Sequence, residues 1–423
     1  MNKIKTITLF IGVLFIANAQ SQTLDLYTCL DSAAEQMPLL KQQELMNEVL
    51  SNKLKSYNRN YLPLVTLNGQ ASYQSDVPEL PFSLPGTPGL EIPQAQYRAY
   101  AEVYQPLFDA GISKAAKKAE TAQTEASLYA LQVSEMEYKK QVAQLYFQML
   151  LVSDQMEIVN KSLDLMRARQ MTLETAVENG VAQQNDLLKL RSEILTQEKK
   201  QDDLKSAQDN GMELLELLTG IKAQGRELVA PEVQGSLDYA ITSNLHLQMI
   251  GTQQNSLLAK ESLLKAQRMP RVNAFAQAGM GAPNPYNFFE KDLSSYYIVG
   301  IRANWTIWDW GKTSLDRKNL HLNHQMLDEQ RNQKQIEVES NVSRLRSAGD
   351  KLNKSLERDA QLLSLRTQIR KNAEVQVEQG VITSNDYLDE VLAEQVAALT
   401  KSVDQISLYQ NRILLQFETG GIK

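Results

Sequence analysis

Between Ala110 and Glu178 there is no proline, and apolar side chains return at alternating steps of three and four residues. Leu128, Leu131, Tyr138, Val142, Leu145, Met149, Val152, Met156, Val159, Leu163, Met166, Leu173 and Val177 keep the rhythm, broken at Glu135 and Gln170. A 3.5-residue period held for about seven heptads marks a coiled coil. At 1.5 Å per residue such a helix reaches on the order of 100 Å. A rod that long cannot close around a compact core of its own, so it must lie against other long helices.

The same pattern occurs twice. Glu178-Asn179-Gly180-Val181 and Asn185-Asp186-Leu187-Leu188 return as Glu378-Gln379-Gly380-Val381 and Asn385-Asp386-Tyr387-Leu388. Phe108-Asp109-Ala110-Gly111 aligns with Trp308-Asp309-Trp310-Gly311, and Thr219-Gly220 with Thr419-Gly420. One ungapped register therefore joins 108–220 to its second copy. Upstream the offset changes by a few residues, since Leu62-Pro63 faces Met269-Pro270. The second long helix carries Val342, Leu345, Leu352, Leu356, Leu363 and Val377 on the same rhythm.

Gly180 and Gly380 stand where a left-handed cap ends a helix. Asn185 and Asp186, like Asn385 and Asp386, suit the start of the next one. Each copy therefore predicts an antiparallel helical hairpin with its tip at the glycine.

Before each hairpin the period falls to two. Val65, Leu67, Gly69, Ala71 and Tyr73 alternate with polar residues, as do Ala95 to Val103. In the second copy Val272 to Met280 form one such face, and Tyr297, Val299, Ile301, Ala303 and Trp305 another. Strict alternation predicts strands with one apolar face. Each is about the length a tilted bilayer-spanning strand needs, with aromatics near the ends. A half-buried soluble sheet is the competing reading, but small apolar side chains make a poor core. Pro106 is expected to end the second strand, because it cannot donate to a ladder. Pro78 to Pro93 and the segment from Gly281 to Pro285 read as surface loops.

The N-terminus reads as an export signal: Lys3 and Lys5, an apolar run from Ile7 to Ile16, then Ala17-Asn18-Ala19. That run is short of the roughly 20 residues a membrane helix needs. No later stretch is apolar enough either, so a membrane passage would have to be a closed β-barrel. Four strands cannot close one, which demands several copies of the chain: two would supply eight strands and three twelve. The expected layout is a signal at 1–19, a first repeat at 20–222, a linker at 223–235 and a second repeat at 236–423. Within the repeats, a helix precedes strands near 64–105 and 271–307, and hairpins at 108–220 and 309–420.

No constellation points to an enzyme. Cys29 is the single cysteine and has no adjacent base, so it reads as a small buried residue. His321 and His324 lie three apart on a helix without a third ligand, and no phosphate-binding loop is present. The formal net charge of -6 gives no electrostatic footprint for nucleic acid.

With the duplicated layout in place, the chain resembles the outer membrane efflux family typified by TolC. The resemblance rests also on Tyr61-Leu62-Pro63 before the first strand, Gln105-Pro106-Leu107-Phe108 after the second, and the two glycine-plus-Asp motifs. It implies a mainly α-helical fold with a membrane β-barrel: a homotrimer whose long helices form an α-barrel and whose strands share one twelve-stranded barrel. It implies the outer membrane of a Gram-negative cell, with the helices reaching into the periplasm. It implies a passive exit duct, without a cofactor, that docks a periplasmic adaptor and an inner-membrane pump. Gly180, Val181, Gly380 and Val381 would be the adaptor-docking tip. Asp386, Asp389 and Asp186 would form the pore constriction, where repeated carboxylates favour cations; the alternative role for these acids is to complement helix dipoles. The family's type member locks its tip with a tyrosine and an arginine where this chain has Val377 and Ile382, so that lock is not carried over. A periplasmic coiled-coil adaptor or scaffold without a barrel is the second reading; it would be soluble without detergent.

Overall fold

The computed structural model describes residues 23–77, 92–232, 241–287 and 289–422. The expected signal, most of the first inter-strand loop and the end of the expected linker lie outside them. The order is α1 (Leu26–Gln36), α2 (Leu39–Arg59), β1 (Leu64–Tyr73), β2 (Ala95–Phe108), α3 (Ile112–Glu178) and α4 (Gln184–Thr219). A single 3-10 turn at Ile241–Ser243 opens the second copy. There follow α5 (Leu245–Gln267), β3 (Arg271–Ala282), β4 (Ser294–Asn304), α6 (Lys312–Glu378) and α7 (Ser384–Thr419). The duplication is kept to the residue: α3 and α6 are 67 residues each, α4 and α7 are 36 each.

The chain divides into two units, and α3 and α6 contribute to both. The strand-bearing unit comprises Pro38–Met136, Asp238–Val342 and Glu418–Lys423. Its four strands form one antiparallel sheet in the order β1-β2-β3-β4. Leu64 pairs with Tyr104 and Arg271 with Asn304, so β1 and β3 are offset by 207 residues, β2 and β4 by 200. The seven-residue difference falls between the strands of each hairpin. One face carries Val65, Leu67, Tyr97, Val299 and Ile301, all exposed or half-exposed. The other carries Gln70, Arg98, Glu102, Gln277 and Arg302. There Arg98 Nε donates to Gln70 Oε1 at 2.8 Å, Gln277 donates to Glu102 at 3.1 Å, and the Arg302 guanidinium lies 4.8 Å from the Phe275 ring centre.

Pro106 does not end its strand. β2 runs on to Phe108, with Pro106 opposite Asn273 and a register shift between Pro106 and Phe108. The shift interrupts the ladder where the proline offers no N–H, so the strand survives it. β4, by contrast, stops at Asn304, short of the expected 307. β3 reaches Ala282, and the segment after it is not a bare surface loop. Asn284 is only 5% exposed, accepts from the backbone N–H groups of Tyr286 and Asn287, and donates to Ser294 Oγ at 2.9 Å.

Both copies turn from strand to helix in one way. Asp109 accepts from the N–H groups of Gly111 and Ser113 at 2.9 Å; Asp309 accepts from those of Gly311 and Thr313 at 3.1 Å. These carboxylates satisfy donors that the first helical turn leaves free.

The hairpin-tip unit comprises Met1–Met37, Glu137–Leu237 and Ser343–Phe417. α1 is capped by Asp25, which accepts from Thr28 N–H at 3.0 Å. Leu24 forms a parallel bridge with Leu228, and Tyr146 Oη, fully buried, lies 2.8 and 2.6 Å from the carbonyl oxygens of Leu24 and Val229, either of which can accept its one proton. Cys29 is buried as expected, and burial pushes its thiol up to about 12, which keeps it protonated and unreactive.

Candidate docking tip and pore constriction

The two hairpin turns share one backbone design. Gly180 and Gly380 adopt φ of 74° and 72°, the left-handed region that costs glycine least. Gly180 N–H bonds the Val177 carbonyl at 3.0 Å, and Val181 N–H bonds that of Ala176 at 2.8 Å. Gly380 and Val381 repeat this on Val377 and Gln376, at 3.3 and 2.8 Å. This is the Schellman pattern, which satisfies the last helical carbonyls. It throws Val181 and Val381 outward: they are 82% and 67% exposed. Two apolar side chains therefore stand in water on rigid turns, where a partner could cover them.

Beneath them α3, α4, α6 and α7 meet in one core. Leu163, Leu173, Leu187, Ile194, Val377 and Val391 are among its buried members, and Ile382 packs against it. The two positions that depart from the family's lock are thus apolar core contacts here. Burying each such side chain is worth about 1.5–3 kcal/mol.

The three candidate acids have different surroundings. Asp186 is half-buried and accepts from Asn385 Nδ2 at 2.8 Å, which ties the first hairpin tip to the second. Asp386 is exposed and serves a capping box. Its Oδ2 accepts from Thr383 N–H at 2.8 Å and Oγ1 at 2.7 Å, while Asp386 N–H donates back to Thr383 Oγ1 at 3.2 Å. The bond from the Thr383 hydroxyl, then that from its backbone, holds the Asp386 carboxyl below the usual carboxylate value. Asp389 is exposed one turn further along α7. Asp386 and Asp389 lie three apart on α7 and so share one side of it. The helix-terminal role therefore accounts for one carboxylate oxygen of Asp386.

A charged cluster that the sequence reading did not single out joins α6 to α7. Arg370, 8% exposed, donates from Nη1 to Glu374 and from Nε to Glu394, both at 2.7 Å. Tyr387 is buried beside it, and burial raises its phenol. Arg169 of α3 donates to Ser384 Oγ at 2.7 Å, and burial lowers its guanidinium from the ordinary arginine value. In the first hairpin the charged pairs lie nearer the surface: Arg167 with Glu198 and Arg191 with Glu174, each at 2.8 Å. For Arg370–Glu394, Arg167–Glu198 and Arg191–Glu174 the signal was their placement on either side of a turn glycine.

His324 Nδ1 lies 3.2 Å from Asp328 Oδ2, and no group of three metal-ligating side chains occurs among the described residues. Among the described residues no helix is long and apolar enough to cross a membrane.

Residues 29–221 match the family model described as outer membrane efflux protein. No curated protein matches the sequence. Solved structures match over nearly the whole chain. The outer membrane protein VceC of Vibrio cholerae aligns with a TM-score of 0.72 at 13% identity, covering 93% of this chain and 96% of its own. The Campylobacter jejuni CmeC outer membrane channel aligns at 0.71 and 13%, covering 94% and 85%. The open-state MtrE outer membrane channel of Neisseria gonorrhoeae aligns at 0.69 and 14%, covering 93% and 88%. At such identities the likeness is one of fold.

Proposed function

We propose that this chain is a TolC-like outer membrane efflux protein that serves as the passive exit duct of an envelope-spanning efflux or secretion assembly. The observation that carries the reading is the sheet. Its apolar face is left open to the surroundings, with Leu67 85%, Val299 72% and Ile301 71% exposed. Its outer strands, β1 and β4, each leave one edge unpaired among the described residues. Lipid can cover an apolar face, but an unpaired edge is not tolerated in lipid, so copies must share one barrel. Three copies, as in the family, give twelve strands. Exposed Trp305, Trp308 and Trp310 follow β4, where an interfacial aromatic belt would sit.

At the other end of each hairpin, Gly180-Val181 and Gly380-Val381 offer the adaptor its contacts. Asp386 and Asp389, with Asp186 behind them, supply three copies of a negative cluster that favours cations. The inner-membrane pump delivers the cargo, and the duct itself does no chemistry.

The test is extraction of the outer membrane followed by protein-specific light scattering in detergent. A membrane-extracted trimer is expected. A protein soluble in the periplasm without detergent would remove the duct and leave the coiled-coil scaffold. In planar bilayers, the variant carrying Asp386→Asn and Asp389→Asn is expected to lose cation preference; unchanged selectivity would take the acids out of the pore.

A further inference from the structure

Resting on the shared-barrel reading, we infer that the polar face of the sheet is a selectivity path for organic anions that carry an aromatic ring, with Arg98 and Arg302 as its specificity-determining residues.

The two faces of the sheet differ in charge. Strand alternation leaves the apolar face without a single Asp, Glu, Lys or Arg, whereas the polar face holds Arg98, Glu102, Arg271 and Arg302. Three arginines against one glutamate make this face cationic in a chain whose formal net charge is -6. Every copy that shares the barrel repeats the excess, and a water-filled passage with low-dielectric walls focuses it.

Cross-strand register sets the charges in rows. Arg98 lies opposite Gln70 and Gly281, and Glu102 opposite Thr66 and Gln277. Arg302 lies opposite Asn273, which faces Pro106 on its other side. Glu102 is therefore four positions from each arginine row. The two arginine rows are about 27 Å apart along the strands. Between them stand aromatic rows: Tyr100 on one side of Glu102, and Tyr104 opposite Phe275 on the other.

Each guanidinium rests against one of these rings. Arg302 Cζ is 4.8 Å from the centre of Phe275, and Arg98 Cζ is 5.8 Å from that of Tyr100. The negative face of a ring holds a cation in place at that range. Phe275 is placed in turn by Gly300 opposite it, where an added Cβ would lie 2.8 Å from two ring carbons. The ring thus lies across the glycine, beside Arg302 on the same strand.

Neither arginine is neutralised. Both are exposed, and among the described residues neither pairs with a carboxylate. Arg98 donates to the neutral Gln70 amide, while Glu102 accepts from that of Gln277. An arginine held by a ring keeps its planar fork for a carboxylate, which it binds through two parallel bonds. A carboxylate on Arg302 leaves an attached ring beside Phe275 and Tyr104; one on Arg98 leaves it beside Tyr100. Glu102 repels the anion midway, so neither row retains it, as passage through several weak sites requires. A cation bearing the same ring meets only Glu102.

The experiment uses the assembled full chain in planar bilayers, with naphthoate, naphthylmethylammonium and acetate as probes. Naphthoate is expected to interrupt the current, and the other two far less. Arg98→Gln with Arg302→Gln is expected to weaken the block about ten-fold and to lower the chloride-to-potassium permeability ratio. Asp386→Asn with Asp389→Asn moves that ratio the other way and leaves the block unchanged. Arg98→Lys with Arg302→Lys keeps the ratio but loses the block, because an ammonium has no planar fork. An unaltered protein that naphthoate does not block, a block that survives the glutamine pair, or one that the cationic probe matches would overturn the inference and leave the duct standing. An assembly that never conducts would fail the duct itself. Fluorescence anisotropy of naphthoate on the same assembly in detergent then decides on the arginines alone: binding lost in the glutamine pair supports them, and binding retained overturns them.

Discussion

The two hairpins have the same lengths and the same turns, but they fill the space between their helices in opposite ways. In the first, α3 presents Tyr146, Phe147, Met149 and Leu150, all buried. A Cβ on Gly211 of α4 would lie 1.9 Å from Met149 Sδ. In the second, the equivalents of the α3 residues are Arg346, Ser347, Gly349 and Asp350. There Gly349 of α6 faces Asn411 of α7, whose Oδ1 would lie 3.0 Å from an added Cβ. The larger residue has changed helix: it stands on α3 in the first hairpin and on α7 in the second, each time opposite a glycine, as close packing favours.

The strongest way to break that comparison is to move one side only. Met149→Gly is expected to cost about 3–5 kcal/mol, from the cavity and the lost helix propensity. Gly211→Asn alone costs about 1–3 kcal/mol by overpacking. The double variant recreates the second hairpin's pair in the first, and recovers at least about 1 kcal/mol of the summed loss. Helix melting followed by circular dichroism reads all three; strict additivity would show that the two positions do not share one volume.

The charged clusters sharpen the contrast next. Arg370→Met strands Glu394 beside a buried tyrosine and is expected to cost about 1.5–3 kcal/mol. Arg167→Met in the first hairpin removes a pair that is a third to a half exposed, and costs under about 1 kcal/mol. Equal shifts in melting temperature would mean that burial does not separate them.

The turns into α4 and α7 differ less. Thr383→Ala removes the capping box at a cost of about 1 kcal/mol. Gln183→Ala removes nothing, since Gln183 makes no side-chain cap bond, and is expected to shift stability by only a few tenths of a kcal/mol. Amide exchange in the first turn of each helix measures both.

The smallest effect is that of acid. The Asp386 carboxyl is held below its ordinary value of 3.8, so its contribution is complete above that value and fades as the pH falls through the lower folded one. Protection in the first turn of α7, taken relative to the intrinsic exchange rate at each pH, should therefore fall below about pH 4, and Asp386→Asn should abolish that dependence. A dependence that persists in the variant would move it to another group.

Much of this was legible in the sequence because it is local or repeated. The two glycines lie at the turns that the broken heptads predicted, and the strands follow the period-two runs. What was not legible depends on distant partners. Pro106 sits inside a strand because β3 shifts register opposite it. Arg370 finds Glu394 only once the hairpin has closed. Thr383 and Asp386 show a readable capping spacing, whereas the bond from Asn385 to Asp186 joins residues 199 positions apart. The lock positions Val377 and Ile382 could be read as departures, but not as core, until four helices were seen to converge on them.

The exchange of bulk between Met149–Gly211 and Gly349–Asn411 also bears on the history of the gene. Two halves joined head to tail invite recombination, which would splice the outgoing helix of one to the returning helix of the other. Joining α3 to α7 would set methionine against asparagine, too much for the gap. Joining α6 to α4 would set glycine against glycine and leave a hole. Each chimera carries a packing penalty at this pair, so halves that began as interchangeable parts now resist shuffling.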